Sequence, residues 1–357
     1  MPVTVIRVVA LIAILAGSAA AASEGGNPPK DWSTYDLLDV RNPASLVPLV
    51  QYRHHRTSSD SVALETRLLL RSGNGWRDAT PRHMKWGIDD AYFVDARHGW
   101  LVTSDCAAGT GAMYRTWDGG RTWHQLNWSF THNCAAGSGF RLMFLDRRHG
   151  WVAAPTPNGG FGVVFRTLSG GRSWASSGRY TGPVLDEVVF RSARVGWGIG
   201  LGWIYPGPLY RTADSSRTWK PEPTLPALRY STPVVFGKTA VVMGTRSATA
   251  HFYRRLGGRW QAAGELSVRG VRFPDFRAST PHTWWVYGVE GSTPVVLVTA
   301  NSGRTWTTHR LQGRGYYANL AVTGDRAWLA TTPLQGPGAL YSSGDLGRTW
   351  SRVSPGG

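Results

Sequence analysis

Short apolar runs recur along the chain at near-constant intervals. Ala91-Tyr92-Phe93-Val94, Leu142-Met143-Phe144-Leu145, Val188-Val189-Phe190 and Val234-Val235-Phe236 have the length and residue type that favour strands. A turn and a second strand follow, marked by Gly-Trp pairs at Gly99-Trp100, Gly150-Trp151 and Gly196-Trp197, with Trp285 and Trp328 in similar places. A third strand is expected to end in Tyr114-Arg115-Thr116, Phe165-Arg166-Thr167 or Tyr210-Arg211-Thr212. A fourth begins at another tryptophan, 21 to 23 residues beyond the second-strand one. Helix signals are nearly absent.

The fourth-strand tryptophans close a signature of the form Ser/Thr-x-Asp-x-Gly-x-Thr/Ser-Trp. Its fullest copies run from Thr116 to Trp123, with Asp118, and from Ser343 to Trp350, with Asp345. Variants ending at Trp174, Trp219 and Trp306 put Ser169, Asp214 and Asn301 at the Asp position, and the second of these puts Ser216 where Gly would sit. Eroded copies end at Trp76 and Trp260. The seven tryptophans are then 47, 51, 45, 41, 46 and 44 residues apart. A period in the mid-forties with strand-like content marks a β-propeller with one blade per repeat. The expected fold is all-β, with seven four-stranded antiparallel blades over residues 46–357. Six blades plus an N-terminal extension is the competing count, because the first repeat is the most diverged.

The signature resembles the Asp-box (BNR) repeat of sialidases, of sortilin-type receptor domains and of photosystem II assembly-factor-like propellers. The resemblance covers roughly Leu46 to Val353 and specifies fold more than function, because unrelated activities share the scaffold. It implies that each box lies between the third and fourth strands, on the face opposite the binding site. The chemistry agrees. A short Asp side chain accepts hydrogen bonds from nearby amides and hydroxyls, Gly relieves a strained turn, and Trp packs into the blade. A calcium loop is the rival reading of Asp118 or Asp345, but one carboxylate per box is too few for a hard cation.

Residues 1–22 read as a secretory signal peptide, with Arg7 before an apolar run from Val8 to Ala16 and Ala20-Ala21-Ala22 as the cleavage site. An uncleaved membrane anchor is the alternative. Residues 23–45 form an N-terminal extension, and no transmembrane segment is expected after cleavage. Cys106 follows the second strand of its repeat and Cys134 precedes the next repeat, so both connections emerge on one face of a propeller. A Cys106–Cys134 disulfide is therefore expected, fitting a secreted or cell-envelope protein, with two unpaired thiols as the alternative.

Lys plus Arg exceed Asp plus Glu by 17, a field that can attract nucleic acid, anionic lipid or acidic polymer. Many of the arginines, such as Arg121, Arg172, Arg217, Arg304 and Arg348, recur at fixed repeat positions beside the box. This reads as scaffold spread around the ring. Without a nucleic-acid module in an exported chain, nucleic acid is not an expected partner. No metal site, phosphate loop or nucleophile elbow is present in the sequence, and no cofactor is implied.

The central mouth, where first strands begin, is the expected ligand site. Aligning the repeats on Phe93, Phe144, Phe190, Phe236 and Phe273 places Asp89, Asp90, Arg141, Asp186, Glu187 and Arg269 there. Tyr316 and Tyr317 come from the last blade, and Arg229 and Tyr230 from a connecting loop. Solvated loop ends are the bland alternative. The resemblance to sialidases implies three arginines on an acidic sugar's carboxylate, a carboxylic acid and a Tyr/Glu pair. These residue types are present. The Arg-Ile-Pro segment of that family is missing from the first repeat, which reads Leu46-Val47-Pro48-Leu49-Val50. Arg272-Phe273-Pro274 is similar in spelling but lies in the sixth repeat, so no catalytic role carries over. The expectation is a monomeric, non-catalytic binding or assembly propeller for a protein or glycan ligand, with exo-hydrolysis of an acidic sugar as the alternative.

Overall fold

In the computed structural model of the chain, the described residues are 31–38, 46–56, 62–72, 75–84, 86–105, 110–128, 139–155, 162–176, 185–200, 208–226 and 228–355. Their strands form seven antiparallel sheets, each a meander in chain order, and none of these residues is helical. The blades begin with Asp31–Leu37, Gly87–Phe93, Arg141–Phe144, Leu185–Phe190, Arg229–Tyr230, Val271–Ala278 and Tyr317–Thr323. First strands touch at five of the seven seams between blades, which places them innermost. In blade 5 the first strand is split, with Val234–Phe236 as its second piece.

The N-terminal extension expected over 23–45 contributes Asp31–Leu37, the innermost strand of blade 1. The ring closes without exchanging a strand between its ends. Blade 1 packs Leu37, Val47 and Leu49 against Ala321, Trp328 and Leu340 of blade 7. Across the same seam Asn319 donates to the buried Asp36 carboxylate at 2.6 Å, and the Gly338 amide donates to the Ser33 carbonyl at 2.8 Å. The signal-peptide segment, Cys106 and Cys134 lie outside the described residues.

The Gly-Trp pairs mark blade-to-blade packing. Phe93 pairs with Gly99, Phe144 with Gly150 and Phe190 with Gly196. A Cβ on Gly150 would stand 2.3 Å from the Phe144 ring, so glycine is required there for space. The adjoining tryptophan reaches the next blade. Trp100 stacks on Phe144 with centroids 3.6 Å apart, and Trp151 stacks on Phe190 at the same distance. Both indoles are within 1% of complete burial, and rings of this size dominate the free energy of a core.

The signature turns join third to fourth strands. In blade 2 the Asp118 carboxylate accepts from the Arg121 and Thr122 amides and from the Thr116 and Thr122 hydroxyls. Asp214 and Asp345 repeat the pattern, and Ser169 and Asn301 stand in with weaker acceptors. Desolvation alone would raise the Asp118 carboxyl, but the Thr122 amide and hydroxyl, with Thr116 and Arg121, hold it far below the usual range. Two successive residues of each turn are left-handed, Gly119 and Gly120 in blade 2 but Ser215 and Ser216 in blade 4. Of the seven closing tryptophans Trp219 and Trp260 are buried; Trp76, Trp123, Trp174, Trp306 and Trp350 are half-buried. They cap blade seams, as when Trp123 donates to the Ala79 carbonyl of the preceding blade at 2.7 Å. The deepest indoles belong to second strands.

Candidate functional site

In a four-stranded meander the starts of first and third strands share one face, here the mouth. The turns after first and third strands share the other, here the box face. Close contacts between turns confirm the second grouping. The Gly119 amide donates to Arg97, Gly170 to Arg148, Ser215 to Arg194, Ser302 to His282 and Leu346 to Asp325, always from a box to the first turn of its own blade.

At the mouth, the sequence-predicted residues divide into several groups. Asp90 is buried and bridges blades: its carboxylate accepts from the Leu142 amide of blade 3 at 2.8 Å and from the Ala91 amide at 2.9 Å. Glu187 does the same between blades 4 and 5 by accepting from the Thr232 hydroxyl at 2.6 Å. Arg141 donates to the Phe140 and Asp89 carbonyls. Removal from water pushes the Asp89 carboxyl up to about 6, against the pull of Ser104, Arg141 and the Phe140 amide. Arg229 and Arg269 are exposed. Tyr230 is buried with its hydroxyl on the Pro226 carbonyl at 2.6 Å, and burial raises its ionisation. The Asp186 backbone lies in the first strand of blade 4. No hydrogen bond or ion pair joins Arg141, Arg229 and Arg269 to one another's partners among the described residues.

Blade 6 corrects the alignment on Phe273. Ala278 pairs with Trp284 as Phe93 pairs with Gly99, so the equivalent position is Ala278. The residue three places earlier is then Asp275, not Gly270. Like Asp90, Asp275 follows a register shift, and its carboxylate accepts from the Phe276 amide at 2.8 Å, from Arg277 at 3.1 Å and from the buried Tyr287 hydroxyl at 2.6 Å. The signal was available in the sequence: Phe93, Phe144 and Phe190 each lie seven residues before a second-strand tryptophan, and Ala278 lies seven before Trp285.

Phe273 instead occupies the bulge, with φ +50°. That conformation is rare for an aromatic residue and is held only where the surroundings impose it. Its ring meets Tyr316 at 5.7 Å and Tyr317 at 6.4 Å, on the adjoining blade. The Arg272 guanidinium lies 4.8 Å from the Tyr316 ring centre and donates to the Gly291 carbonyl. Two of the predicted tyrosines thus join two residues that sequence reasoning set aside. Arg272 is exposed and the three rings are half-buried, which leaves a basic aromatic patch open at the mouth.

A cavity of about 460 Å³ occupies the axis. Its wall comes mainly from the box-face ends of first strands, including Phe144, Phe190, Phe236 and Val322, and Glu187 is the predicted site residue that reaches it. No cluster of metal-ligating side chains occurs among the described residues, and no described helix is long and apolar enough to cross a membrane.

These features define a seven-bladed β-propeller with an apolar axial cavity and a basic aromatic patch at one mouth. No protein-family model and no curated protein matches the sequence. Solved structures share the fold. YCF48 bound to a D1 peptide is 23% identical, with a TM-score of 0.50 over 74% of this chain and 81% of that one. The GH74 enzyme of Niastella koreensis is 13% identical, with a TM-score of 0.59, and is matched over 91% of this chain and 54% of its own length. The GH74 xyloglucanase of Xanthomonas campestris is 15% identical, with a TM-score of 0.57, over 90% and 53%. The chain therefore spans about half the length of these two enzymes.

Proposed function

We propose that the chain is an exported Asp-box propeller that binds a protein segment at its mouth and carries out no chemistry there. The observation that carries this reading is the strained Phe273, held against Tyr316 and Tyr317 beside the exposed Arg272. Aromatic and arginine side chains on a rigid frame are the residue types that anchor protein interfaces, and backbone strain is kept where it serves a site. Asp90 and Glu187 are occupied between blades, which takes two carboxylates away from any catalytic pair. The D1 peptide bound to YCF48 supports a peptide as the ligand class. Photo-crosslinking amino acids at positions 316 and 348 test it. A protein adduct from position 316 alone, lost in Phe273→Ala, is the expected result, and equal capture at both positions would refute a mouth site.

Hydrolysis of an acidic sugar is the second reading. It draws support from Asp89, whose carboxyl is pushed up to about 6 by burial in spite of Arg141 nearby, as a general acid would need. A fluorogenic exo-glycoside panel with Asp89→Asn and Arg141→Ala variants separates the two. Turnover lost in both variants would make the chain an enzyme.

A further inference from the structure

The box face carries a ring of exposed cations. The turns after first and third strands of blades 2 to 7 carry eleven Arg and Lys residues against six aspartates. Arg121, Arg148, Arg194, Lys238, Arg304 and Arg348 give each of these blades one exposed cation. Five of the six aspartates are committed locally, and Asp325 is exposed. Asp118, Asp214 and Asp345 hold their own boxes, while Asp95 and Asp146 hold His98, His149 and neighbouring amides. Among the described residues one ion pair engages the cations of these turns, Arg147 with Asp95 at 3.2 Å. Toward the mouth, Arg53 pairs with Glu65 and Arg310 with Glu290, while Arg229, Arg269 and Arg272 stay exposed.

The same face carries three of the five exposed large hydrophobic side chains among the described residues. Trp117 is 39% exposed, Leu168 52% and Leu256 41%, each at the end of a third strand, in blades 2, 3 and 5. Trp117 packs against the Arg115 guanidinium, 5.2 Å from its ring centre, and makes an edge contact with His124.

We propose that the box face docks peripherally on an anionic lipid bilayer, with headgroup phosphates against its ring of arginines and Trp117, Leu168 and Leu256 entering the acyl boundary. The shape of the charge pattern selects this partner. A linear polyanion is served by a stripe or groove of cations, whereas here they recur around the circumference on turns of similar construction. A flat anionic surface meets all of them together. Basic residues interspersed with protruding aromatic and aliphatic side chains also combine the two attractions that hold a protein at a membrane interface.

Sedimentation of the full chain with vesicles tests this, using 3:1 phosphatidylcholine:phosphatidylglycerol beside phosphatidylcholine alone. Binding only to the anionic vesicles is expected, with release at about 0.5 M salt. Arg148→Glu with Arg194→Glu should weaken it by at least about tenfold, and Trp117→Ser with Leu168→Ser should weaken it severalfold. Arg229→Glu with Arg269→Glu, two exposed cations on the mouth side, should change it less than about twofold. Should the reversals disturb folding by circular dichroism, Gln at the same two arginines removes charge without adding any. Absence of vesicle binding overturns the proposal. So does equal weakening by box-face and mouth-face variants, or binding of heparin or DNA that vesicles cannot compete away.

Discussion

The two faces of this ring are built by different rules. On the box face, one short turn recurs with its Thr or Ser, its carboxylate or substitute, its pair of left-handed residues and its tryptophan, because its hydroxyls and its carboxylate or substitute are satisfied within eight residues. On the mouth face, similar positions hold Asp90, Arg141 and Glu187, which take partners from a neighbouring blade, and Asp275, which takes its partners from its own. A face assembled from local bonds can be repeated, and repetition of an arginine-bearing turn yields a charged plane. A face assembled across blades diverges from blade to blade, and that divergence produces a patch such as Phe273 with Tyr316 and Tyr317.

The comparison can be broken most severely at Trp100, which donates from its buried ring to the Gly170 carbonyl of the next box at 2.9 Å. Trp100→Ala should destabilise by about 3–5 kcal/mol in chemical denaturation, more than Trp123→Ala, whose ring is half-buried; equal losses would mean the box tryptophans matter as much as the second-strand ones. Asp90→Ala strands the Leu142 amide, and about 2–3 kcal/mol should be lost. A smaller loss would show that the mouth carboxylates do not join blades.

The mouth end of blade 1 should also respond to pH. His54 is buried, stacks on Trp32 with centroids 4.9 Å apart and shares a hydrogen bond with Thr34. Burial, then the charge of His55, lowers its pKa from 6.5 to about 4. The neutral ring is the folded form, so stability is complete above 6.5 and falls as pH drops toward 4. The loss should reach about 2 kcal/mol after discounting for screening, and His54→Gln should flatten the profile. An unchanged profile would place the acid sensitivity elsewhere, for example in the box carboxylates, which release stability only below the ordinary carboxylate range. On the box face, Ser216→Gly should stabilise by about 1 kcal/mol, because φ +70° costs a serine and not a glycine. Arg229→Glu and Arg269→Glu, exposed at the mouth, should shift stability by less than about 0.5 kcal/mol.

Much of this architecture was legible before any coordinates. The tryptophan spacing and the strand-like runs between tryptophans specify seven meanders, and the box signature specifies its turn, because both are governed by interactions close in sequence. Reading Gly-Trp as a second-strand marker was sufficient to find the strand, though its cause is a Phe ring across the ladder. The mouth was legible in residue type and not in arrangement. Alignment on Phe273 failed because a bulge adds residues to the strand without changing its composition, and the Arg-Phe-Pro segment it displaced is the strained edge of the patch.

By itself, then, the sequence determined the repeat, the blade and the turn, since backbone hydrogen bonds and side-chain alternation act over a few residues. Three features were decided only when the ring closed. Asp31–Leu37 became a strand because the hydrophobic seam with blade 7 needed a partner. The mouth carboxylates became inter-blade acceptors because neighbouring first strands presented amides and hydroxyls to them. The arginines of successive turns came to lie on one face because an even number of strands returns each blade to the side on which it began.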